Sequence, residues 1–135
     1  MKAEILAFLK TKGHDVLDVG SYDLNPVDFP DIARKVASAI TSGQVERGLM
    51  ICGTGVGAAI GANKMKGIRA AVCHDVHSAH QSVEHDDVNV MCIGAQIVGP
   101  WLAKDLIAAY LDARFSTSEE FRRRVAKLAD MDEGR

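Results

Sequence analysis

The sequence predicts an α/β fold, with three α/β/α layers around a parallel sheet. Three observations carry this prediction. Short apolar runs alternate with amphipathic helical stretches from one end to the other. Those runs are apolar enough for strands covered by helices rather than half-wet ones. A glycine-rich turn joins one run directly to a helix.

Residues 1–12 put Ile5, Phe8 and Leu9 on one helical face, and Gly13 follows as a C-terminal cap. Residues 15–19, with Val16, Leu17 and Val19, read as a short strand. Residues 20–30 form a turn-rich loop containing Asn25-Pro26. Pro30 suits the first position of a helix reaching about Ser42. Ile32, Val36 and Ile40 line its inner face, and Gly43 ends it. Gly48–Cys52 reads as a strand buried on both faces, and residues 53–57 turn the chain into a helix ending near Met65.

Residues 68–73 form the next strand, 76–84 a helix and 88–94 another buried strand. Pro100 opens a long helix with Leu102, Leu106 and Ala109 facing inward. The last helix, 118–130, begins with acids and turns basic at Arg122-Arg123-Arg124. The reading is a single domain over residues 1–135 with a parallel, Rossmann-like sheet.

Composition narrows the function classes. The chain is 47% hydrophobic and 25% charged, with net charge -2 and both signs interspersed. That balance gives no reason to expect nucleic acid or an anionic membrane as partner. No apolar run approaches spanning length. Three cysteines without a CxxC pair, and no targeting segment, predict a reduced cytoplasmic protein.

The stretch Met50-Ile-Cys-Gly-Thr-Gly-Val-Gly57 is the candidate site. Glycines let backbone approach a ligand, and free N–H groups at a helix start favour an anion. It is neither a dinucleotide fingerprint, since Ile60 stands at the last glycine position, nor a Walker loop, since Lys64 comes too late. Cys52 sits at its mouth, where a helix N-terminus favours the thiolate. Cys73 and Cys92, in apolar runs, read as small buried hydrophobes. His74, His77 and His80 read as surface or capping residues, because no further ligands stand at known zinc spacing. His85 lies between carboxylates at a helix end, a setting suited to proton transfer.

Four motifs resemble the ribose/galactose isomerase family, type B ribose-5-phosphate isomerase in particular. They are Asp28-Phe-Pro-Asp31, Cys52-Gly-Thr-Gly-Val-Gly57, Ala62-Asn-Lys64 with Gly67-Ile-Arg-Ala-Ala71, and His85-Asp-Asp-Val-Asn-Val90. The resemblance covers nearly the whole chain. It implies metal-independent, cofactor-free interconversion of aldose and ketose phosphates through a cis-enediolate. Cys52 would be the base, and Thr54 would assist through its hydroxyl. The amides of Gly53, Gly55, Val56 and Gly57 would hold the oxyanion, and His85 would open the sugar ring. Asp86 and Asn89 would shape the substrate site. Arg124 would bind phosphate and reach a neighbouring subunit, so a homodimer or dimer of dimers with shared sites is expected.

Four departures from the family pattern bear on the substrate. The family's first strand, with its Gly-x-Asp-His turn, has no counterpart, and a downstream start or a truncation is the expected cause. Asp86 stands where Asn is usual, so it accepts where the amide would also donate. Glu120 stands in place of a second phosphate-binding arginine, a role that Arg122 or Arg123 is near enough to take. Phe29 replaces the commoner tyrosine. A non-catalytic sugar-phosphate-binding or partner subunit of the same fold is the alternative reading.

Overall fold

The computed structural model describes residues 1–134. Six helices and three strands follow in the order α1 (Lys2–Thr11), α2 (Phe29–Thr41), β1 (Gly48–Cys52), α3 (Val56–Asn63), β2 (Ala70–Val72), α4 (Val76–Asp86), β3 (Val90–Gly94), α5 (Pro100–Asp112) and α6 (Glu119–Glu133) among the described residues. The strands form one parallel sheet in the order β1-β3-β2. Gly48 opposes Val90 and Cys52 opposes Gly94; Ala70 opposes Val90 and Val72 opposes Cys92.

β3 is the middle strand, and every one of its residues is buried. Its side chains alternate between two cores, as the pleat requires. Met91 and Ile93 pack with Ile5, Leu9, Val83, Leu106 and Ile107 from α1, α4 and α5. Val90 and Cys92 pack with Ala33, Val36, Ala58 and Ala62 from α2 and α3. The sheet therefore lies between two helical layers, as expected. α6 contributes no buried residue and lies against α4.

The structure corrects several sequence expectations. Residues 15–19 are not a strand, because a strand needs a hydrogen-bonded neighbour and none of the described residues supplies one. Val16 and Leu17 are instead exposed. β1 is an edge strand among the described residues, so Leu49, Ile51 and Cys52 are only half-buried rather than covered on both faces. The inner face of α5 is Ala103, Leu106, Ile107 and Tyr110; Leu106 is as expected and Ala109 packs partly buried against the same core, whereas Leu102 is exposed.

Polar groups anchor the ends of these elements. The Arg47 guanidinium donates to the carbonyls of Tyr110, Leu111 and Ala113, satisfying the last turn of α5 from the residue before β1. Tyr110 returns a hydroxyl bond to the Gly48 carbonyl at 3.3 Å, and burial pushes its phenol up from 10.0. The Asp75 carboxylate caps α4 by accepting from the Ser78 N–H, and that bond holds its pKa below the ordinary value. Among the described residues no helix is long and apolar enough to cross a membrane.

Candidate active site

The C-terminal end of the sheet is built from backbone. The Cys52 carbonyl accepts from the Ala95 N–H at 2.7 Å, and the Gly53 carbonyl accepts from the Gln96 N–H at 3.0 Å. Gly55, the N-cap of α3, then turns the chain at φ 84°, a left-handed conformation that strains any residue with a Cβ. The floor of this turn is Gly94. A Cβ on Gly94 would lie 2.7 Å from the Thr54 backbone, closer than atoms pack. Phe29 closes the far side, its ring 3.0 Å from where a Gly57 Cβ would stand.

Two amides of this turn donate to side chains within it. The Gly55 N–H donates to Cys52 Sγ at 3.0 Å, and the Val56 N–H to Thr54 Oγ1 at 3.3 Å. The other first-turn amides of α3, including Gly57, have no acceptor inside the helix. The Gly55 amide thus faces the Cys52 sulfur, and the Val56 amide faces the Thr54 hydroxyl. N–H groups left free at a helix start favour an anion beside them. The other two thiols differ. Burial, with repulsion from Cys52 and Cys73, pushes the Cys92 thiol up to about 12. Burial also raises Cys73 above 9.0.

The N-terminal end of the sheet holds the remaining expected residues. His85 stacks on the Phe121 ring of α6 at 3.9 Å and 12°, with Nε2 3.5 Å from Glu84 Oε1. Asp86 is exposed and lines a surface cavity of about 570 Å³ with Arg69, Asn63, Leu128 and Met131. Asn89 is buried and serves the turn before β2. Its amide donates to the Gly67 carbonyl and accepts from the Arg69 N–H. Arg124 is exposed, with Nη1 3.8 Å from Glu120 Oε1. Its neighbours on the basic run are engaged elsewhere. Arg122 lies over the Phe115 ring and donates to the Ser116 carbonyl, while Arg123 faces Glu119 at 3.7 Å.

Within one chain, then, the structure brings Cys52 together with Thr54 and residues 53–57, and sets His85 and Arg124 against one ring, that of Phe121. It does not bring these two groups together. β3 runs between the ends, and four residue steps along it span about 13 Å. Three further residues were missed from sequence. Gly94 supports the turn, Gln96 covers Gly53 with its amide, and His74, read as a surface or capping residue, accepts the Gly94 N–H at Nε2, 2.9 Å. His77 and His80 are exposed and pair with Gln81 and Glu84. The available signal for Gly94 was a glycine at the very end of the most apolar run.

A glycine-rich turn at the carboxyl end of a parallel sheet lies where open α/β folds bind their ligands, which places the chain among ligand-binding α/β proteins. Comparison with known proteins narrows it. Residues 1–128 match the family model described as Ribose/Galactose Isomerase. Ribose-5-phosphate isomerase B of Escherichia coli (strain K12) is 44% identical over 115 residues, 85% of this chain and 77% of that protein. D-erythrulose-4-phosphate isomerase of Pectobacterium atrosepticum is 46% identical over 118 residues, 85% of this chain and 76% of the relative. The solved structure of Clostridium thermocellum ribose-5-phosphate isomerase B superposes with a TM-score of 0.95 at 43% identity, covering 98% of this chain and 89% of that one. The chain belongs to the ribose/galactose isomerase family, a family of sugar-phosphate isomerases.

Proposed function

We propose that the chain interconverts an aldose phosphate and its ketose, with ribose 5-phosphate and ribulose 5-phosphate as the leading pair. The observation that carries this reading is the position of Cys52 Sγ, 3.0 Å from the Gly55 amide inside the glycine turn. The Cys52 thiolate removes the proton from C2 of the open-chain aldose. The C1 carbonyl oxygen becomes the enediolate oxygen, held by the amides of residues 53–57 and the Thr54 hydroxyl. Cys52 returns the proton to C1, and a proton passes from O2 to O1, leaving the carbonyl at C2. Preorganised donors of this kind are commonly worth ~3–4 kcal/mol each at the transition state.

His85 opens the sugar ring and Arg124 binds the phosphate, with Asp86 and Asn89 shaping that end. Because these residues lie at the opposite end of the sheet from Cys52, each complete site draws on two copies of the chain. The homodimer is thus the minimal active unit, and a second dimer can add to it. The cytoplasm suits both the free thiols and the metabolite.

Two assays test this reading. Cys52→Ala is expected to abolish ribose 5-phosphate turnover while leaving the circular dichroism spectrum unchanged; undiminished turnover removes Cys52 as the base. Cys52→Ala and His85→Ala, each inactive alone, are expected to recover roughly a quarter of parental activity after mixing and subunit exchange, since half the redistributed dimers carry one intact site. No recovery in verified mixed dimers overturns the shared site. A panel including erythrulose 4-phosphate and galactose 6-phosphate ranks the sugars.

A further inference from the structure

β2 is two residues shorter than β3, and the difference falls at Ile93 and Gly94. The ladder on that side ends with the Cys73 N–H donating to the Cys92 carbonyl at 3.3 Å. Peptide N–H groups alternate along a strand, so with the Ala95 N–H turned to β1, the Gly94 N–H faces the β2 side. There β2 has already ended. The buried Gly94 amide would be an orphan donor, which a folded chain seldom tolerates. The imidazole of His74 fills the place of the absent carbonyl, with Nε2 at 2.9 Å. A peptide N–H can only donate, so Nε2 carries the lone pair and the ring proton resides on Nδ1.

Gly94 is also the floor beneath Thr54, and its neighbour Ala95 holds the Cys52 carbonyl. We propose that His74 is a positioning residue for the oxyanion turn: it fixes the Gly94 peptide, and that peptide sets the height and tilt of residues 52–57. The role rests on the isomerase reading above for its kinetic consequence, though not for its geometry. The bond that His74 accepts comes from the Gly94 peptide, beneath the turn. Its removal should therefore weaken stabilisation of the enediolate more than binding of the sugar.

The test compares His74→Phe, which keeps a ring and removes the acceptor, with His74→Gln, whose amide oxygen has the same reach as Nε2. His74→Phe is expected to lose about tenfold in kcat with KM nearly unchanged, the worth of one hydrogen bond, and His74→Gln to recover most of it. Nitrogen-15 spectra of the parent are expected to show an unprotonated Nε2, and His74→Phe to shift the amide resonances of residues 53–57. Should the phenyl ring prevent folding, His74→Leu replaces it in the same comparison. A protonated Nε2 in the parent, parental kcat in His74→Phe, or failure of His74→Gln to exceed it overturns the proposal. An inactive parent overturns the isomerase reading instead. In that case unchanged amide shifts at 53–57 in His74→Phe overturn the positioning role on their own.

Discussion

The two ends of the sheet are made of different material. At the C-terminal end, peptide groups are stacked on peptide groups: Gly94 lies under Thr54, Gly55 under-runs Cys92 and Ile93, and one sulfur is the main side-chain participant. At the N-terminal end, long side chains meet at the surface: His85 on Phe121, Arg124 beside Glu120, and Asp86 at a cavity wall. Backbone contacts hold position closely and leave no room for a methyl group. Exposed side chains can be exchanged without disturbing the fold. On the proposed function, the first kind of region carries the chemistry and the second the recognition of the sugar phosphate.

The comparison can be broken most forcefully at Gly94. Gly94→Ala is expected to cost about 1–3 kcal/mol of stability through overpacking against Thr54, and to lower kcat at least tenfold. Asp86→Asn at the other end should stay within about 0.5 kcal/mol by denaturant melts and change KM instead. Equal losses of stability from the two substitutions would erase the distinction.

Thiol labelling sharpens the same contrast. In the native protein, half-exposed Cys52 should react with a maleimide or disulfide reagent while buried Cys73 and Cys92 stay protected; all three react after unfolding. Glu120→Gln is a smaller perturbation. Releasing Arg124 from an exposed pair worth about 0.2–1 kcal/mol should lower KM for a sugar phosphate up to severalfold, more at low salt than at high. The least effect is expected away from both ends, at Asp18. Its bond to Lys2 holds the carboxyl below 3.8, so the folded chain binds its proton less readily than the unfolded one. Stability from this pair is present above that value and lost as pH falls through the folded value. Asp18→Asn should thus lower Tm slightly at neutral pH, with the difference vanishing in acid.

The parts of this molecule that were legible in the sequence are those whose causes are local. Gly48–Cys52 was read to the residue because an apolar run stops at a glycine turn. The Cys52 turn was legible because its glycines are adjacent. Residues 15–19 misled because apolar content gives a segment the ability to pair but not a partner. Gly94 and His74 lie twenty residues apart and meet only through the register of β2 on β3. No spacing rule encodes that meeting. The separation of His85 from Cys52 was not read from the sequence, although the parallel topology implies it. A residue ending a strand and one ending a helix after a strand belong to opposite rims of such a sheet.

Arg47 joins the chain just before β1 to the last turn of α5, across 63 to 66 residues of sequence. Its three bonds tie the last carbonyls of α5 to the residue that precedes the edge strand. The opening of that helix end and the release of the sheet edge are therefore expected to be coupled. In hydrogen exchange, the amides closing α5 and those of β1 should share a single protection factor, and Arg47→Lys, which lacks the planar fork, should split it in two.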